Sequence, residues 1–465
     1  MNIIGRKDEQ HELNRLYQSD SPEFAIVYGR RRVGKTFLVR ETLGHAFTFY
    51  ATGVARGNRE DQLSAFHAAL LEYGLPVRYT RPVSWHEAFE FLKIVVERSK
   101  QRRKVIFIDE MPWMDTAKSK FLEALDLFWN KWASAREDIL LIGCGSAASW
   151  MVKNIVRSRG GLHNRITCKI KLNPFTLAET KSFLLSKKIE WETRDIAETY
   201  MILGGIPYYL NLLDRSLSLA QNVDRLFFKT SAFLDDEFDN LYSSLFKNAS
   251  EHKKIIEALS KHKAGLTRES ILSATKLTDG GSFGIKLDEL EQCGFIRKYK
   301  AIGSKGQLYQ LTDFYTLFYF KFLNGQKEGD TSRWLHLMLS RTYTTWCGLA
   351  FERLCMSEIE MIKTVLGISG IATKHYSMQT PITQVDMLIE RADRVISLCE
   401  MKYYDGPYTM TKKDAEDMEK RIWEVREKTM RKNIQVVLIT PYGVKQNKYS
   451  ANAVHQVITL ADIMK

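Results

Sequence analysis

The loop GRRRVGKT, residues 29–36, is the feature that most constrains how this chain can fold. The apolar segment EFAIVY precedes it, and the segment TFLVRETL, which has the composition of a helix, overlaps its end. Glycines in such a loop let backbone N–H groups wrap a phosphate, and the N-terminus of the following helix adds a favourable dipole. The spacing G-x-x-x-x-G-K-T therefore predicts a strand, a phosphate-binding loop and a helix within an α/β domain.

Each part of this loop has a predicted task in binding ATP and Mg²⁺. The Lys35 ammonium should reach the β- and γ-phosphates, and the Thr36 hydroxyl should bind the metal ion. A turn that contains glycine could match the motif by chance, but the flanking strand and helix and a second motif downstream favour the functional interpretation. The predicted nucleotide-binding residues are Gly29, Arg30, Arg31, Arg32, Val33, Gly34, Lys35, Thr36 and Phe37.

The second motif is KVIFIDE at residues 104–110. Its apolar run, 105–108, is typical of a strand that is buried on both faces of a parallel sheet. Asp109, at the end of the run, is predicted to hold the Mg²⁺ shell, and Glu110 is predicted to polarise the attacking water as a catalytic residue. The alternative is a pair of solvated acids at the end of a strand.

A third apolar run, DILLIGCG, leads to Ser146. A polar side chain at the end of a neighbouring strand can contact the γ-phosphate or the attacking water, which would make Ser146 a catalytic residue. A loop serine without such a role explains the residue equally well, so both interpretations stay open.

Three further segments carry a family resemblance: IIGRKDEQHELNRL at 3–16, GLHNRITCKIKLNPFTLAE at 161–179 and GGIPYYL at 204–210. Together with the two motifs they resemble the AAA+ family, and more narrowly the archaeal-type ATPases close to its STAND and initiator branches. The resemblance covers residues 1 to roughly 240. It implies a P-loop core with a parallel sheet, a helical lid, and an enzyme that binds and hydrolyses ATP.

The resemblance also implies roles for residues downstream of the motifs. Arg165, with Arg159 as a second candidate, would sense or stabilise the γ-phosphate, in some relatives across a subunit boundary. Gly205 and Pro207 would couple the position of the lid to the nucleotide. The alternatives are a structural surface arginine and a turn that simply breaks a helix.

After residue 176 the pattern becomes helical, and residues 177–247 are consistent with a lid. Residues 248–328 predict short helices followed by a hairpin around Gly303 and Gly306, a layout that resembles a winged helix. Winged helices often place their third helix in the major groove of DNA.

The charges on that third helix argue against a simple role in binding DNA. A helix that faces phosphates should be basic. Here Lys286 is outnumbered by acidic residues, so packing against protein is at least as good an explanation, and Lys305 on the hairpin is one candidate phosphate contact. The acidic residues are Asp288, Glu289 and Glu291.

The last part of the chain, residues 329–465, holds the strand pair QVDMLIE and VISLCEMK. Alternation along the second strand puts Glu400 and Lys402 on one face, and Asp386 can approach them from the first strand. Glu352 lies upstream in an amphipathic segment that predicts a helix. A helix with Glu, a strand with Asp and a strand with Glu-x-Lys resemble the PD-(D/E)XK nuclease fold.

The nuclease resemblance implies a site that depends on metal. Glu352, Asp386 and Glu400 would hold Mg²⁺ beside a scissile phosphate, and Lys402 would orient or help to deprotonate the attacking water. Val385 stands where the literal motif has proline, a departure that is common in the family. The alternatives are an exposed hairpin whose Glu and Lys pair across solvent and an inactive nucleic-acid clamp with the same fold.

Composition points to an anionic partner and a reducing compartment. The net charge of +13 and the pI of 9.2 favour nucleic acid, with DNA first. The six cysteines form no C-x-x-C pair, which argues against a zinc ribbon or a disulfide framework. The sequence opens without a signal-peptide pattern, and the apolar segment 314–323 is about half the length of a membrane helix. We therefore expect a soluble cytoplasmic protein without a membrane partner.

These observations predict an α/β ATPase core at 1–176, a lid at 177–247, a winged helix at 248–328 and an α/β nuclease-like domain at 329–465. The predicted protein is an AAA+/STAND-like ATPase whose nucleotide state controls a DNA-binding and metal-dependent nuclease tail, in defence, mobile-element or repair roles. One alternative is an ATP-switched DNA-binding regulator whose nuclease fold is inactive. Another is a nucleotide-controlled scaffold for protein partners or self-assembly without nucleic acid.

Overall fold

The computed structural model describes residues 3–156, 162, 164–229, 232–246, 248–303, 306–325, 333–380, 383–429 and 432–465. The chain divides into two compact units, Met1–Pro174 and Phe175–Lys465. Arg159 and Lys305, two predicted phosphate contacts, lie outside the described residues. The predicted domain boundaries at 247/248 and 328/329 also fall on or beside such residues. All of the predicted domain boundaries stay predictions.

A parallel five-stranded sheet forms the centre of the first unit. Its strands are β1 (Glu23–Tyr28), β2 (Phe47–Thr52), β3 (Lys104–Asp109), β4 (Ile139–Gly145) and β5 (Cys168–Lys171). They pair in the order β2-β3-β4-β1-β5, so the connections between paired strands cross over the sheet. This confirms the predicted α/β fold with a parallel sheet.

Helices connect the strands of the first unit. They are α1 (Lys7–Gln18), α2 (Lys35–Leu43), α3 (Arg59–Glu72), α4 (Trp85–Arg98), α5 (Met111–Met114), α6 (Phe121–Lys131) and α7 (Ala148–Met151). Their apolar side chains form a core rich in aromatic rings, in which Trp85 and Phe121 meet edge to face with centroids 4.9 Å apart.

Burial explains why the apolar runs form the central strands. Every residue of β3 and β4 is buried, and in β1 only Tyr28 is partly exposed. Continuous apolar runs of this kind suit parallel strands that are covered on both faces. Since the carboxyl ends of parallel strands lie at one edge, the residues that follow β1, β3 and β4 come together there.

The second unit begins with helices α8 (Leu177–Ser186), α9 (Thr193–Leu203), α10 (Pro207–Asn211), α11 (Leu219–Phe227) and α12 (Glu237–Leu245). Next come α13 (Ala249–Ser260), β6 (Leu266–Thr267), α14 (Arg268–Thr275), α15 (Gly281–Gln292), β7 (Ile296–Tyr299) and β8 (Leu308–Leu311). Strands β6, β8 and β7 form a small antiparallel sheet. The helices and the hairpin lie where the sequence predicts them, and the winged-helix assignment stays a prediction.

A mixed five-stranded sheet forms the last part of the second unit. Its strands are β9 (Thr373–Gln379), β10 (Gln384–Arg391), β11 (Val395–Met401), β12 (Asn433–Thr440) and β13 (Gln456–Thr459). Neighbours are antiparallel from β9 to β11 and parallel from β11 to β13. The predicted second strand of the hairpin ends one residue early, so Lys402 follows β11 directly.

The remaining helices of this unit are α16 (Phe314–Phe318), α17 (Arg333–Leu337), α18 (Arg341–Ser357), α19 (Ile359–Val365), α20 (Lys412–Lys428), α21 (Lys448–Ala453) and α22 (Leu460–Ile463). The apolar segment 314–323 folds as α16 and the helical turns Tyr319–Leu323. Within the described ranges, no helix has both the length and the apolar character to cross a membrane. All six cysteines are buried and free.

Candidate functional site

The loop that follows β1 takes a path that only glycine permits at its first position. Gly29 has a φ of 149°, and a Cβ on it would lie 2.2 Å from the carbonyl oxygen of Leu172. Gly34 has a φ of 89° and immediately precedes α2, which begins at Lys35. Arg32 is also left-handed, with a φ of 73°. The loop thus reaches the start of a helix whose free N–H groups can face an anion.

The Lys35 side chain is buried within this loop. Its Nζ donates hydrogen bonds to the carbonyl oxygens of Arg30 at 2.8 Å and Gly29 at 3.1 Å. An ammonium group with three donors can exchange such carbonyl partners for phosphate oxygens. The geometry is compatible with the predicted role of Lys35, which stays a prediction.

The other predicted nucleotide-binding residues differ in their exposure. Arg30 and Val33 are buried, whereas Arg31 and Arg32 are partly exposed. Phe37 is 41% exposed on the first turn of α2. The three consecutive arginines of the loop add positive charge at this edge of the sheet, and positive charge attracts anions.

Thr36 and Asp109, the two predicted Mg²⁺ ligands of the first unit, are in contact. The Thr36 hydroxyl donates a 2.7 Å hydrogen bond to Asp109 Oδ2. Asp109 ends β3 and is 3% exposed, and its other carboxylate oxygen accepts the backbone N–H of Glu110 at 2.8 Å. A hydroxyl and a carboxylate at this separation are the oxygen ligands that Mg²⁺ prefers, so the pair fits that ion.

Ser146 contacts Glu110, the carboxylate that is predicted to polarise the attacking water. Its hydroxyl and its backbone N–H, the latter at 3.2 Å, both donate to the Glu110 carboxylate. Glu110 itself is left-handed, with a φ of 48°, a conformation that is uncommon outside glycine and frequent at functional sites. This contact holds the Glu110 carboxylate, which neither of the two interpretations of Ser146 describes, and a role of Ser146 toward the γ-phosphate or the water stays a prediction.

Gly53 is a residue of this edge that the sequence analysis missed. A Cβ at this position would lie 2.5 Å from the carbonyl oxygen of Glu110 and 2.9 Å from Cβ of Trp113. Its N–H donates to the carbonyl oxygen of Asp109 at 3.0 Å. The available signal was a glycine directly after FTFYAT, a run rich in aromatic and β-branched residues, since a glycine next to a strand often marks a close approach of backbone.

Arg165 lies exposed in the turn before β5. In the second unit, Gly205 has a φ of 63°, and a Cβ on it would lie 2.5 Å from the carbonyl oxygen of Phe175. Pro207 occupies the first turn of α10. The geometry around Gly205 agrees with the helix-breaking turn, and coupling to a nucleotide stays a prediction.

The acidic cluster of the second unit brings two of the predicted metal ligands together. Glu352 lies on α18 and Asp386 on β10, and both meet the ammonium of Lys263. Lys263 Nζ is 2.8 Å from Glu352 Oε2 and 3.5 Å from Asp386 Oδ2. Gln384 Nε2 donates to the other Asp386 oxygen at 2.6 Å. Sequence analysis missed Lys263, because no local pattern marks a lysine that acts so far along the chain.

Glu400, the third predicted ligand, has different partners. Its carboxylate pairs with Lys402 at 3.0 Å and with Arg421, on α20, at 2.8 Å. The register of β10 and β11 pairs Met387 with Cys399, so Asp386 and Glu400 occupy the next cross-strand position. The Glu400–Lys402 pair forms as the hairpin alternative expects, but the carboxylate is largely buried and shared with Arg421.

Burial dominates the electrostatics of the acidic cluster. It raises the pKa of Glu352 to about 7, and the neighbouring charge of Asp386 adds to this effect. Burial also opposes the charge on Lys263, but the carboxylates of Asp386 and Glu352 outweigh it and raise the pKa of Lys263 above its usual value. Two carboxylates that share one ammonium form a concentration of negative charge that attracts a cation.

Within the described ranges, no group of three or more His, Cys, Asp or Glu side chains is arranged to hold a metal ion. Glu352 and Asp386 converge, but Glu400 is turned toward Arg421 and Lys402. Metal binding by all three predicted ligands would therefore require Lys263 to leave and Glu400 to change its partners.

Comparison with known proteins finds similarities for a large part of the chain. Residues 4–213 match the model of an ATPase domain found predominantly in Archaea. An uncharacterized protein of Methanocaldococcus jannaschii, MJECL04, is 27% identical over 363 residues, which cover 76% of each chain. The similarity to this relative extends well beyond the ATPase domain.

One solved structure reaches a TM-score that supports a shared fold. The Walker-type ATPase PABY2304 of Pyrococcus abyssi aligns with a TM-score of 0.51 at 16% identity, over 68% of this chain and 96% of its own. The ORC2 protein of Aeropyrum pernix aligns with a TM-score of 0.44 at 14% identity, over 77% of this chain and 96% of its own. Residues 4–213 are therefore similar to an archaeal ATPase domain, and the glycine loop and the parallel sheet agree with that match.

Proposed function

We propose that the first unit binds Mg·ATP at the P-loop and hydrolyses it. The observation that carries this proposal is the hydrogen bond between Thr36 and Asp109, which brings the metal-ligand candidates of two separate motifs into contact. Glu110 and Ser146 lie beside them at the same edge of the sheet. A phosphate-binding loop, an oxygen ligand pair and an oriented carboxylate are the parts that phosphoryl transfer to water requires.

We assign separate roles in ATP hydrolysis to the residues of this site. Lys35 exchanges its loop carbonyls for phosphate oxygens and neutralises charge on them, as the backbone N–H groups of 29–34 do. Glu110 orients a water and accepts its proton, and Ser146 holds the carboxylate in place. Thr36 and Asp109 would hold Mg²⁺, which would supply further neutralisation of negative charge when bound.

Turnover of ATP by the Lys35→Ala variant tests this proposal. We expect turnover to fall by about 100-fold or more, because the ammonium stabilises charge that develops in the transition state. Lys131→Ala, at the exposed end of α6, removes the same charge from the same unit and should leave turnover unchanged. Equal turnover in wild type and Lys35→Ala would refute the assignment of the loop.

For the tail we propose a metal-dependent DNA nuclease whose activity follows the nucleotide state of the ATPase domain. The convergence of Glu352 and Asp386 on one cationic group supports a site for a cation. Glu400 lies across the strand pair from Asp386 and is the third carboxylate within reach. Carboxylates of this kind can hold Mg²⁺ against a phosphodiester, and Lys402 can orient the attacking water.

Incubation with labelled DNA, Mg²⁺ or Mn²⁺ and ATP separates this proposal from its alternatives. We expect nicks that are lost in Asp386→Asn and in Glu400→Gln, while ATP turnover is kept. Salt-sensitive DNA binding without cleavage would favour the ATP-switched regulator, because phosphate contacts weaken as counterions compete. If the protein neither cleaves nor binds DNA, the remaining alternative is the nucleotide-controlled scaffold for protein assembly.

A further inference from the structure

The Glu352–Asp386 pair is bridged by a lysine from a distant part of the second unit. Lys263 lies between α13 and β6, 89 residues before Glu352 in the chain. Its Nζ contacts both Glu352 oxygens, at 2.9 Å and 2.8 Å, and lies 3.5 Å from Asp386 Oδ2. The ammonium group of Lys263 thus pairs with both of the carboxylates that would bind a metal ion.

The backbone at Lys263 is fixed from two sides. Its carbonyl oxygen accepts a hydrogen bond from Gln310 Nε2 at 2.7 Å and another from the guanidinium of Arg353. Gln310 is 3% exposed and is itself held by Arg297 Nε at 2.7 Å. These anchors limit the conformational freedom that a surface lysine would otherwise keep, and they present the ammonium to the carboxylates.

A second contact joins the same two regions at the hairpin between β7 and β8. Ile302 forms a parallel bridge with Met378 of β9. Its N–H donates to the carbonyl oxygen of Ser377, and its carbonyl oxygen accepts the N–H of Gln379, both at 2.9 Å. Gly303 has a φ of 88°, and a Cβ on it would lie 2.3 Å from the Gln379 carbonyl oxygen. Ile302 therefore extends the edge of the tail sheet beyond β9.

We propose that Lys263 and the Ile302 bridge together form a latch that closes the cation site of the tail. The inference rests on the proposed metal site and concerns its regulation. An ammonium and a divalent cation cannot share the same two carboxylates, because their like charges repel at this separation. With the latch closed, Lys263 holds Glu352 and Asp386; with it open, the carboxylates are free for a divalent cation.

Linkage gives the latch a measurable consequence. If latch closure and cation binding exclude each other, any change that destabilises the closed form raises the apparent affinity for the cation. The change need not touch a carboxylate or alter a charge. This separates a latch from an ion pair that only stabilises the fold.

Calorimetric titration of the full chain with Mn²⁺ in the absence of nucleotide tests the first half of the latch. We expect Lys263→Met to bind Mn²⁺ about tenfold more tightly than wild type, and a second substitution, Asp386→Asn, to remove the gain. Lys261→Met is the matched control, because this substitution removes the same charge from an exposed lysine that pairs with Glu257 and not with the acidic cluster. It should bind Mn²⁺ as wild type does.

The Gly303→Ala variant tests the second half without changing charge. Its Cβ would collide with the Gln379 backbone, so the hairpin should leave β9 and Mn²⁺ affinity should rise by about fivefold. Gly306→Ala is the control: an added Cβ at this position would lie 4.0 Å from Cγ2 of Thr267, an ordinary contact, so the variant should bind Mn²⁺ as wild type does. Because the two variants act at separate places, misfolding of one leaves the other as a test.

The outcomes distinguish failure of the latch from failure of the metal site. If Lys263→Met and Gly303→Ala bind Mn²⁺ no more tightly than wild type, and Asp386→Asn abolishes binding, the site stands and the latch is wrong. Tightening in Lys263→Met alone also overturns the latch, because the hairpin would then play no part. If Asp386→Asn changes Mn²⁺ binding in no background, the metal site itself is wrong and the latch falls with it.

Discussion

The loop site of the first unit (residues 29–36) and the acidic site of the second unit (Glu352, Asp386 and Glu400) differ in how far along the chain their interacting residues lie. In the first unit, Lys35 bonds to carbonyls five and six residues away, and Glu110 and Ser146 follow neighbouring strands. In the second unit, Glu352 is held by Lys263 across 89 residues. The first site is set by motifs and one sheet edge, whereas the second depends on how separate regions pack.

This difference changes what each site can do. A loop whose glycines and helix N-terminus are fixed by its own backbone is prepared to accept an anion. A carboxylate pair held by a lysine from elsewhere must first lose that partner before it accepts a cation. The loop site can therefore bind its anion without a rearrangement, whereas cation binding at the acidic site depends on the release of Lys263.

Glu110→Gln is expected to have the largest effect among the variants that test this comparison of the two sites. We expect ATP hydrolysis to fall by about 100-fold to 10,000-fold, because Gln can orient a water but cannot accept its proton. Binding of ATP should be unchanged, which a binding titration checks. Glu123→Gln, at an exposed position of α6, is the control. A variant that hydrolyses at the wild-type rate would remove Glu110 from its role and leave the first site without a base.

The next effect concerns Glu358, a buried acid of the second unit that accepts the backbone N–H of Leu177 at 2.9 Å. Burial raises its pKa to about 7, the hydrogen bond from Leu177 opposes this, and the charge of Glu179 adds to it. The folded state therefore binds more protons than the unfolded state between pH 4.5 and 7, so stability falls as the pH rises through that window.

Glu358→Gln keeps the acceptor oxygen and removes the charge. At pH 8 the variant should be more stable than wild type by about 3 kcal/mol, and at pH 5 the two should be nearly equal. Unfolding by denaturant at both pH values measures this, with Glu360→Gln, which is largely exposed, as the control. An unchanged pH dependence would mean that packing in this unit does not perturb its acids as the comparison requires.

A smaller effect is expected from Ser146→Ala. The variant loses the hydroxyl donor to Glu110 but keeps the backbone N–H, so we expect hydrolysis to slow by about tenfold with ATP affinity unchanged. Ser149→Ala, three residues further on in α7, should be neutral. If Ser146→Ala weakens ATP binding and spares the rate of hydrolysis, Ser146 contacts the nucleotide instead of positioning the acid.

The smallest effect is expected from Arg165→Ala. Because Arg165 is exposed in a turn, we expect the free energy of unfolding to change by less than about 0.5 kcal/mol. Denaturant unfolding measures this. A loss above about 1 kcal/mol would favour the structural interpretation of this arginine over a role toward the γ-phosphate.

The sequence was sufficient to predict the features that depend on neighbouring residues. The apolar runs predict β1, β3 and β4, and the residues that follow them predict which side chains share an edge of the sheet. Thr36 and Asp109 meet because parallel strands end together, and that rule needs no knowledge of packing. The sequence analysis missed Gly53 because glycine is required there by the close approach of the Glu110 backbone, a contact that is visible only in the folded chain.

The acidic site could be predicted only in part for the same reason. Alternation along the strands puts Asp386 and Glu400 at adjacent cross-strand positions, but it does not say which cations will pair with them. Lys263 and Arg421 come from other elements, and one lysine among the many of a basic chain carries no signal of its own. The contacts that govern this site arise from packing between regions that the sequence presents as separate.

Calorimetric titration of wild type and Lys35→Ala with Mg·ATP tests most directly whether the loop at 29–36 is a nucleotide site. We expect one saturable binding event in wild type and its loss in the variant, since the ammonium and the loop N–H groups act on the same phosphates. Equal heats in both proteins, or no binding in wild type, would contradict the assignment of the P-loop and with it the proposed ATPase.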